Sequence, residues 1–183
     1  MKIDSIKIKN FRGYKEAVKI DFNDLTVFVG KNDIGKSTIL EALDIFFNDG
    51  KGAIKLDRTD VNVRGRKEED LDIEISICFS ELPEKIIIDS TVETSLQDEF
   101  MLNDDGQLEV IKRYRNGGAA KIFIKAKHPT NDKCAELLLK KNSELKKIIR
   151  SANIECENQT VNTEMRRAIW NKFSDDLQQD IIE

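Results

Sequence analysis

One short segment constrains this chain more than any other, because it combines two glycines, a lysine and a hydroxyl at fixed spacing. The segment matches G-x-x-x-x-G-K-[ST], the phosphate-binding loop of many nucleotide hydrolases. Its residues are Gly30, Lys31, Asn32, Asp33, Ile34, Gly35, Lys36 and Ser37. Such a loop joins a strand to a helix, so the motif predicts an α/β fold around it.

The sequence on both sides of the loop fits that expectation. Residues 25–29 are nearly all apolar, which predicts a strand buried on both faces. After the loop, apolar residues recur at helical spacing and predict an amphipathic helix that ends near residues 48–50: Ile39, Leu43, Phe46 and Phe47.

Each residue type in the loop has a chemical reason to be there. Gly30 and Gly35 allow successive backbone N–H groups to point at phosphate oxygens. Lys36 would reach the β- and γ-phosphates, while the Ser37 hydroxyl would ligate Mg²⁺. Thr38 would direct its N–H and hydroxyl to the α-phosphate at the positive end of the helix dipole. The motif therefore predicts binding of a nucleotide with Mg²⁺.

Composition sets outer limits on function. The 183 residues carry 39% apolar and 35% charged side chains, which is typical of a globular domain. A net charge of -4 offers no overall attraction to nucleic acid, so any DNA contact needs a local basic face. Cys78, Cys134 and Cys156 form no C-x-x-C pair, and no signal peptide or long apolar run is visible. These features predict reduced thiols, a cytoplasmic location and no membrane contact. His128 is expected at the surface.

Alternating apolar and polar residues predict antiparallel strands in the first two thirds of the chain. They form an opening hairpin over residues 6–22, a strand over residues 71–79 and a second hairpin over residues 108–126. The step Asn116-Gly117 predicts a tight turn in the second hairpin.

The last third of the chain changes to helical spacing. Amphipathic helices are predicted over residues 131–149 and 161–177, and the charged residues 51–70 are expected to form a surface loop. The expected fold class is thus an α/β P-loop lobe with antiparallel hairpins and a C-terminal helical segment. The expected domains are a P-loop lobe, residues 1–128, and a helical segment, residues 129–183.

Four consecutive features together resemble the N-terminal lobe of ABC-type ATPases of the RecF and SMC kind. They are the opening Ile-Lys-Ile-Lys-Asn-Phe-Arg-Gly at residues 6–13, the apolar run 25–29, the loop 30–38 and the helix start 39–43. The segment Asn-Asp-Ile-Gly-Lys within the loop is most similar to the corresponding segment in the OLD (overcoming lysogenization defect) family of nucleases. The resemblance is specific over residues 1 to 80.

This resemblance implies ATP and Mg²⁺ as cofactors, a second ATPase head as partner and DNA as a further partner. It places Arg12 near the nucleotide, although a solvated turn arginine explains the same residue. It places Arg58 where related heads face DNA or the dimer interface. The helices after residue 130 would be the base of an arm or simply a core-packing pair.

Other parts of such an ATPase have no counterpart in the sequence. The signature loop, the strand ending in paired acids, the later histidine and the acidic cluster of OLD nucleases are not found. Residues 86–89, Ile-Ile-Ile-Asp, are the only apolar run that ends in an acid, which makes Asp89 the candidate Mg²⁺ ligand of a Walker B strand. We expect that the chain is the N-terminal part of a longer polypeptide.

Three functions are therefore compatible with the sequence. The first is the ATP-binding part of a larger ATPase that gates DNA processing or cleavage, including defence against phage. The second is a self-sufficient small P-loop NTPase or kinase that uses Asp89. The third is a non-catalytic module that senses ATP and assembles. The basic tract around Lys140, Lys147 and Arg150 is either a DNA-facing edge or a solvated helix face.

Overall fold

The computed structural model describes residues 1–30, 35–89 and 92–182. The chain forms two compact units. The first comprises Met1–Ser80 and Glu109–Phe123, and the second comprises Glu81–Leu108 and Ile124–Glu183. The expected domains, residues 1–128 and 129–183, stay a prediction.

Helices and strands are mixed in the described residues, in agreement with the predicted α/β class. The strands are β1 (Lys2–Lys9), β2 (Val18–Asp21), β3 (Asp72–Ser80), β4 (Ile86–Ile87), β5 (Glu93–Thr94), β6 (Leu108–Arg115), β7 (Ala120–Pro129) and β8 (Leu177–Ile182). The α-helices are α1 (Lys36–Asn48), α2 (Val63–Lys67), α3 (Asn142–Ser151) and α4 (Asn162–Phe173), with 3₁₀ turns at Arg58–Asp60 and Asp132–Cys134.

The first unit is a sheet with α1 on one face. β1 lies antiparallel between β2 and β3, and β6 and the start of β7 continue the sheet. The alternation seen in the sequence places five isoleucines on the α1 face, all fully buried: Ile6, Ile8, Ile73, Ile75 and Ile77. On the same face, the Phe47 ring of α1 lies 6.3 Å from the Phe79 ring of β3. The predicted hairpin within residues 6–22, the strand over residues 71–79 and the helix after the phosphate loop are thus confirmed.

The hairpin of β6 and β7 turns as its sequence predicts. Asn116 and Gly117 have φ of 51° and 72°, the two positive values of a type I′ turn. The Gly118 N–H donates to the Arg115 carbonyl over 3.0 Å and closes the turn. An Asn-Gly step is therefore sufficient to specify this connection.

The predicted strand over residues 25–29 is wrong. These residues form no strand, and Leu25, Val27 and Val29 are 82%, 68% and 89% exposed. An apolar run becomes a buried strand only when neighbours pair with both of its edges. Both edges of β1 are already taken by β2 and β3, and none of the described strands pairs with residues 25–29.

In the second unit, α3 and α4 pack around a core with the turn that precedes them. The fully or nearly fully buried members are Cys134, Leu137, Leu145, Ile149, Met165, Ile169 and Trp170. The second half of β7 pairs antiparallel with β8, with His128 opposite Gln178. Within the described ranges, no helix is long and apolar enough to cross a bilayer.

The predicted helices of this unit are too long. The one expected from residue 131 begins only at Asn142, because Glu136 adopts φ of 54°, a left-handed value that ends helical geometry. The next ends at Phe173, and Leu177, expected at its end, instead begins β8. The charged segment 51–70 also contains α2 and a 3₁₀ turn, so it is only partly the expected loop.

His128 is buried, so the expected surface position is wrong. Its side chain lies edge-on to Trp170, with ring centroids 4.8 Å apart. The Nε2 atom is 3.1 Å from the Cys134 carbonyl oxygen. The ring is therefore part of the apolar packing of the second unit.

Two glycines with the same backbone angle give a matched test of packing in the hairpin. Gly106 and Gly117 both have φ of 72°, so alanine at either position costs roughly 1 kcal/mol of backbone strain. A Cβ at Gly117 would also lie 2.2 Å from the Asp57 carbonyl carbon, whereas one at Gly106 meets nothing within 4 Å. We expect Gly117→Ala to lower the free energy of unfolding by about 1–3 kcal/mol more than Gly106→Ala, measured by urea unfolding. Equal urea midpoints would contradict this contact.

Candidate nucleotide-binding site

The described part of the phosphate loop lies at the start of α1. Gly30 has φ of 152° and Gly35 has φ of 79°, backbone angles that favour glycine. The Lys36 ammonium lies against the Gly30 carbonyl oxygen, so the lysine reaches back across the loop that precedes its helix. Residues 31–34, the predicted binding residues Lys31, Asn32, Asp33 and Ile34, lie outside the described residues.

The N-terminus of α1 fits an anion. Gly35 is the N-cap and supplies no side chain to accept from the N–H groups of the first turn, which also contains no acidic residue. A 13-residue helix presents a partial positive charge at this end. Ser37 is exposed and Thr38 is half-buried there. The structure therefore brings Gly35, Lys36, Ser37 and Thr38 together at one helix end, as the motif requires.

A tyrosine that the sequence analysis did not select contacts Gly35 at the start of α1. The Tyr14 hydroxyl is 3.3 Å from the Gly35 carbonyl oxygen and donates to it. A Cβ added to Gly35 would lie only 2.9 Å from the same hydroxyl oxygen. Tyr14 therefore restricts both the orientation of the Gly35 peptide and the residue that can occupy position 35.

Arg12, two residues earlier in the same turn, is bound by carboxylates. Its Nε donates to Asp60 over 2.8 Å, and its Nη1 pairs with Glu41 of α1. The Arg12 N–H donates to the Asp60 carbonyl over 2.7 Å, and its guanidinium lies 4.9 Å from the centroid of the Phe11 ring. The arginine is therefore no freely solvated turn residue. Its partner on α1, Glu41, lies five positions after Lys36. The contact of Arg12 with a nucleotide stays a prediction.

The sequence contains no direct signal for Tyr14, Glu41 or Asp60. Tyr14 and Gly35 are 21 positions apart, and Arg12 and Asp60 are 48 apart. Tyr14 stands two positions after the arginine that the resemblance singled out, and this proximity is the only hint. The packing of the β1–β2 turn on the start of α1 assembles these contacts.

Asp89, the candidate Walker B acid, belongs to the second unit and is engaged there. The strand before it is only Ile86–Ile87, paired with Glu93–Thr94, and Ile87 is 61% exposed. Residues 86–88 therefore do not form the buried apolar strand that a Walker B motif requires. The Asp89 carboxylate pairs with Arg166, a side chain only 1% exposed.

Asp89 is one of two carboxylate partners of the buried Arg166 guanidinium. Its Nε and Nη2 donate to the two carboxylate oxygens of Glu99, each over 2.8 Å. Burial by itself disfavours the cation, but the hydrogen bonds to Glu99 and Asp89 outweigh it, so the pKa of Arg166 is raised. A buried guanidinium requires such partners. Asp89 thus has a structural role in the described contacts.

The candidate Mg²⁺ ligand lies at the phosphate loop. Among residues 1–30, 35–89 and 92–182, no group of three His, Cys, Asp or Glu side chains is arranged to hold a metal ion. Magnesium in nucleotide sites takes few protein ligands and completes its shell with phosphate and water oxygens. The exposed Ser37 hydroxyl at the helix start fits that limited role.

Comparison with known proteins agrees with the motif. The profile of the AAA ATPase domain matches residues 1–183, the whole chain. The chain belongs to the AAA ATPase domain family. This assignment agrees with the ATPase class that the motif predicts. The OLD resemblance stays a prediction.

Individual relatives match shorter stretches. The DNA replication and repair protein RecF of Lactococcus lactis subsp. lactis (strain IL1403) is 50% identical over 44 residues, which is 24% of this chain and 12% of RecF. The uncharacterized protein MJECL10 of Methanocaldococcus jannaschii is 42% identical over 50 residues, which is 27% of this chain and 23% of that protein. The chain therefore matches only a small part of the length of these relatives.

One solved structure aligns over a longer range. It comes from work on "Structural biochemistry of ATP-driven dimerization and DNA stimulated activation of SMC ATPases". It is 18% identical, has a TM-score of 0.45, and covers 85% of this chain and 81% of the other chain.

The chain's two tyrosines allow the role of Tyr14 to be tested. Tyr14→Phe removes the hydroxyl that donates to Gly35, and we expect ATP affinity to fall roughly two- to tenfold, the value of one hydrogen bond. The matched control is Tyr114→Phe, which removes a buried hydroxyl 3.4 Å from the Ile45 carbonyl, far along α1 from its start. Calorimetric titration with Mg-ATP should show a loss of affinity only for Tyr14→Phe. A Tyr14→Phe variant with wild-type affinity would rule out this role.

Proposed function

We propose that this chain binds Mg-ATP at the start of α1 and is the ATP-binding part of a DNA-processing ATPase. The observation that carries the proposal is the helix N-terminus with Gly35 at its cap, Lys36 folded over Gly30 and no competing acid in its first turn. Membership of the AAA ATPase domain family supports the same ligand.

Each residue has a defined task in this proposal. Gly30 and Gly35, with the intervening Lys31, Asn32, Asp33 and Ile34, direct backbone N–H groups at the phosphates. Lys36 places its ammonium between the β- and γ-phosphates, and Thr38 binds the α-phosphate. Ser37 ligates Mg²⁺, which supplies charge neutralisation between the phosphates when bound.

Arg12 has a more specific role in the proposal. Its partner Glu41 lies on α1, so the guanidinium already sits beside the helix that carries Lys36. We propose that Arg12 exchanges Glu41 for a phosphate oxygen when ATP binds. Guanidinium groups bind carboxylates and phosphates with the same fork of donors, which makes this exchange chemically simple.

Turnover is proposed to need two parts that this sequence lacks: an acidic pair that holds Mg²⁺ and activates water, and the signature loop of a second ATPase head. The resemblance to RecF and SMC heads supports ATP-dependent pairing of two heads, cytoplasmic location and action on DNA. The OLD resemblance supports DNA cleavage and defence against phage as the process that ATP gates.

The primary test is Mg-ATP binding by the 183-residue chain, measured by calorimetry. Lys36→Ala should reduce affinity at least about 100-fold, because a charge-assisted contact to phosphate and its charge neutralisation are both lost. Lys51→Ala is the matched control, since Lys51 is an exposed lysine just beyond the opposite end of α1. Equal affinities for the two variants would refute the proposed site.

A second test separates the proposal from a self-sufficient NTPase that uses Asp89. We expect Asp89→Ala to leave Mg-ATP affinity unchanged and to lower the thermal midpoint, because Arg166 loses one of its carboxylate partners in a buried site. Phosphate release by the wild-type chain should be at background. Phosphate release that disappears in Asp89→Ala while the fold persists by circular dichroism would establish the alternative enzyme.

A further inference from the structure

The sheet of the first unit has a second face, opposite α1, with a different composition. Side chains on a strand alternate between faces, so the residues between the buried isoleucines point away from α1. Strand register confirms the grouping, since Lys7 lies opposite both Lys19 and Ser76, and Lys9 lies opposite Glu74. Six of its cations define what is called the cation face below: Lys7, Lys9, Lys19, Arg113, Arg115 and Lys121.

Two of these cations are neutralised within the sheet. Lys19 pairs with Asp21 over 2.8 Å, and Arg113 pairs with Glu74 over 2.8 Å. Arg113 also lies 4.8 Å from the centroid of the Phe123 ring, which fixes its guanidinium plane. The residues that the structure describes provide no ion-pair partner for the other four cations, Lys7, Lys9, Arg115 and Lys121.

The carboxylates of the cation face are mostly satisfied. Asp21 and Glu74 belong to the two ion pairs, and the Glu109 carboxylate accepts from the Ser76 hydroxyl over 3.0 Å. Asp72 alone has no such partner in the described ranges. The hydroxyl hydrogen bond leaves the charge of Glu109 in place, so six cations stand against four carboxylates and the face has an excess of two positive charges, although the whole chain has a net charge of -4.

The unpaired charge is most concentrated at the end of the β6–β7 hairpin. A groove of about 270 Å³ lies there, lined by Asp72, Arg113, Arg115, Ala119, Lys121 and Phe123. Arg115 and Lys121 are exposed at this groove. The hairpin turn also packs against the segment of Arg58, since a Cβ at Gly117 would lie 2.7 Å from the Arg58 nitrogen. Arg58 is exposed as well.

We propose that the cation face binds the sugar-phosphate backbone of a DNA duplex. This inference rests on the proposed action on DNA and names the surface that would bind it. It does not depend on the proposed ATP site. Arg115 and Lys121 are both exposed and lie on adjacent strands, which are about 4.8 Å apart, so a regular polyanion can meet both cations at once. Arginine and lysine contacts to phosphate carry no base information, so binding is independent of sequence.

The test measures binding of a fluorescent duplex to the 183-residue chain without nucleotide over a series of salt concentrations. The double variant Arg115→Ala/Lys121→Ala should weaken binding about tenfold or more near 0.1 M salt. It should also reduce the slope of log K against log salt by about 2, one for each lost phosphate contact.

A matched pair in the second unit provides the control. Lys147→Ala/Arg150→Ala also removes one exposed lysine and one exposed arginine, from the basic tract on α3. This control should bind DNA as the wild type does. Equal losses in the two double variants, or no duplex binding by the wild-type chain at low salt, would overturn the proposal, and so would full binding by Arg115→Ala/Lys121→Ala.

The ATP site is tested separately in the same titration. Lys36→Ala should retain duplex binding while it loses Mg-ATP binding. Duplex binding through the cation face without any Mg-ATP binding by the wild type would refute the ATP site and leave the cation face established. Mg-ATP binding without duplex binding would refute the cation face and leave the ATP site established.

Discussion

The position of the helix start relative to the β1–β2 turn is the constraint on which the site depends. Two residues of the turn have backbone angles that cost energy, since Asn10 and Arg12 both adopt left-handed φ values, 55° and 47°. Hydrogen bonds offset that cost. The Asn10 side chain donates to the carbonyls of Asp70 and Asp72 over 2.8 and 3.1 Å, and the Asn62 N–H donates to the Asn10 carbonyl over 3.1 Å.

This network explains why Tyr14 meets Gly35. Once the backbone reverses at Arg12, the following residues return along the start of α1, and the Tyr14 hydroxyl reaches the Gly35 carbonyl. The Gly35 peptide is then supported by a residue 21 positions away. A phosphate site with a supported loop avoids part of the ordering cost that ligand binding otherwise carries.

The sequence predicted those parts of the fold whose signal is local. Strict alternation in β3 and the Asn116-Gly117 step determine a strand and a turn with little help from the rest of the chain. Residues 25–29 failed because apolar character indicates burial only if a neighbour exists, and strand pairing is decided by residues far along the chain. β8 was missed for the same reason, because its pairing partner is the second half of β7.

Of the functional residues, too, the sequence predicts those that are contiguous and misses those that lie on separate strands. The motif identifies Gly35, Lys36, Ser37 and Thr38 because a phosphate loop is contiguous. The cation face was not visible in the sequence, since its lysines and arginines lie on separate strands, alternate there with residues of the other face, and are hidden by the net charge of -4. Only strand register shows that Lys7 and Lys9 of β1 share a face with Arg115 of β6.

The ion pair of Arg12 sets a condition on how the turn can respond to a ligand. Its side chain is 31% exposed and that of Glu41 is 27% exposed, but the Glu41 Oε2 atom that faces the guanidinium is itself buried. A phosphate that replaces Glu41 would therefore leave a buried carboxylate oxygen without its cation unless the Glu41 side chain also moves. Asp60 holds the Nε edge of the same guanidinium throughout, so the exchange changes one partner without releasing the arginine. The carboxylate left behind lies on α1, the helix that carries Lys36, and repulsion from bound phosphate would favour its movement. In this way the occupancy of the nucleotide site would be transmitted to the turn that joins β1 and β2.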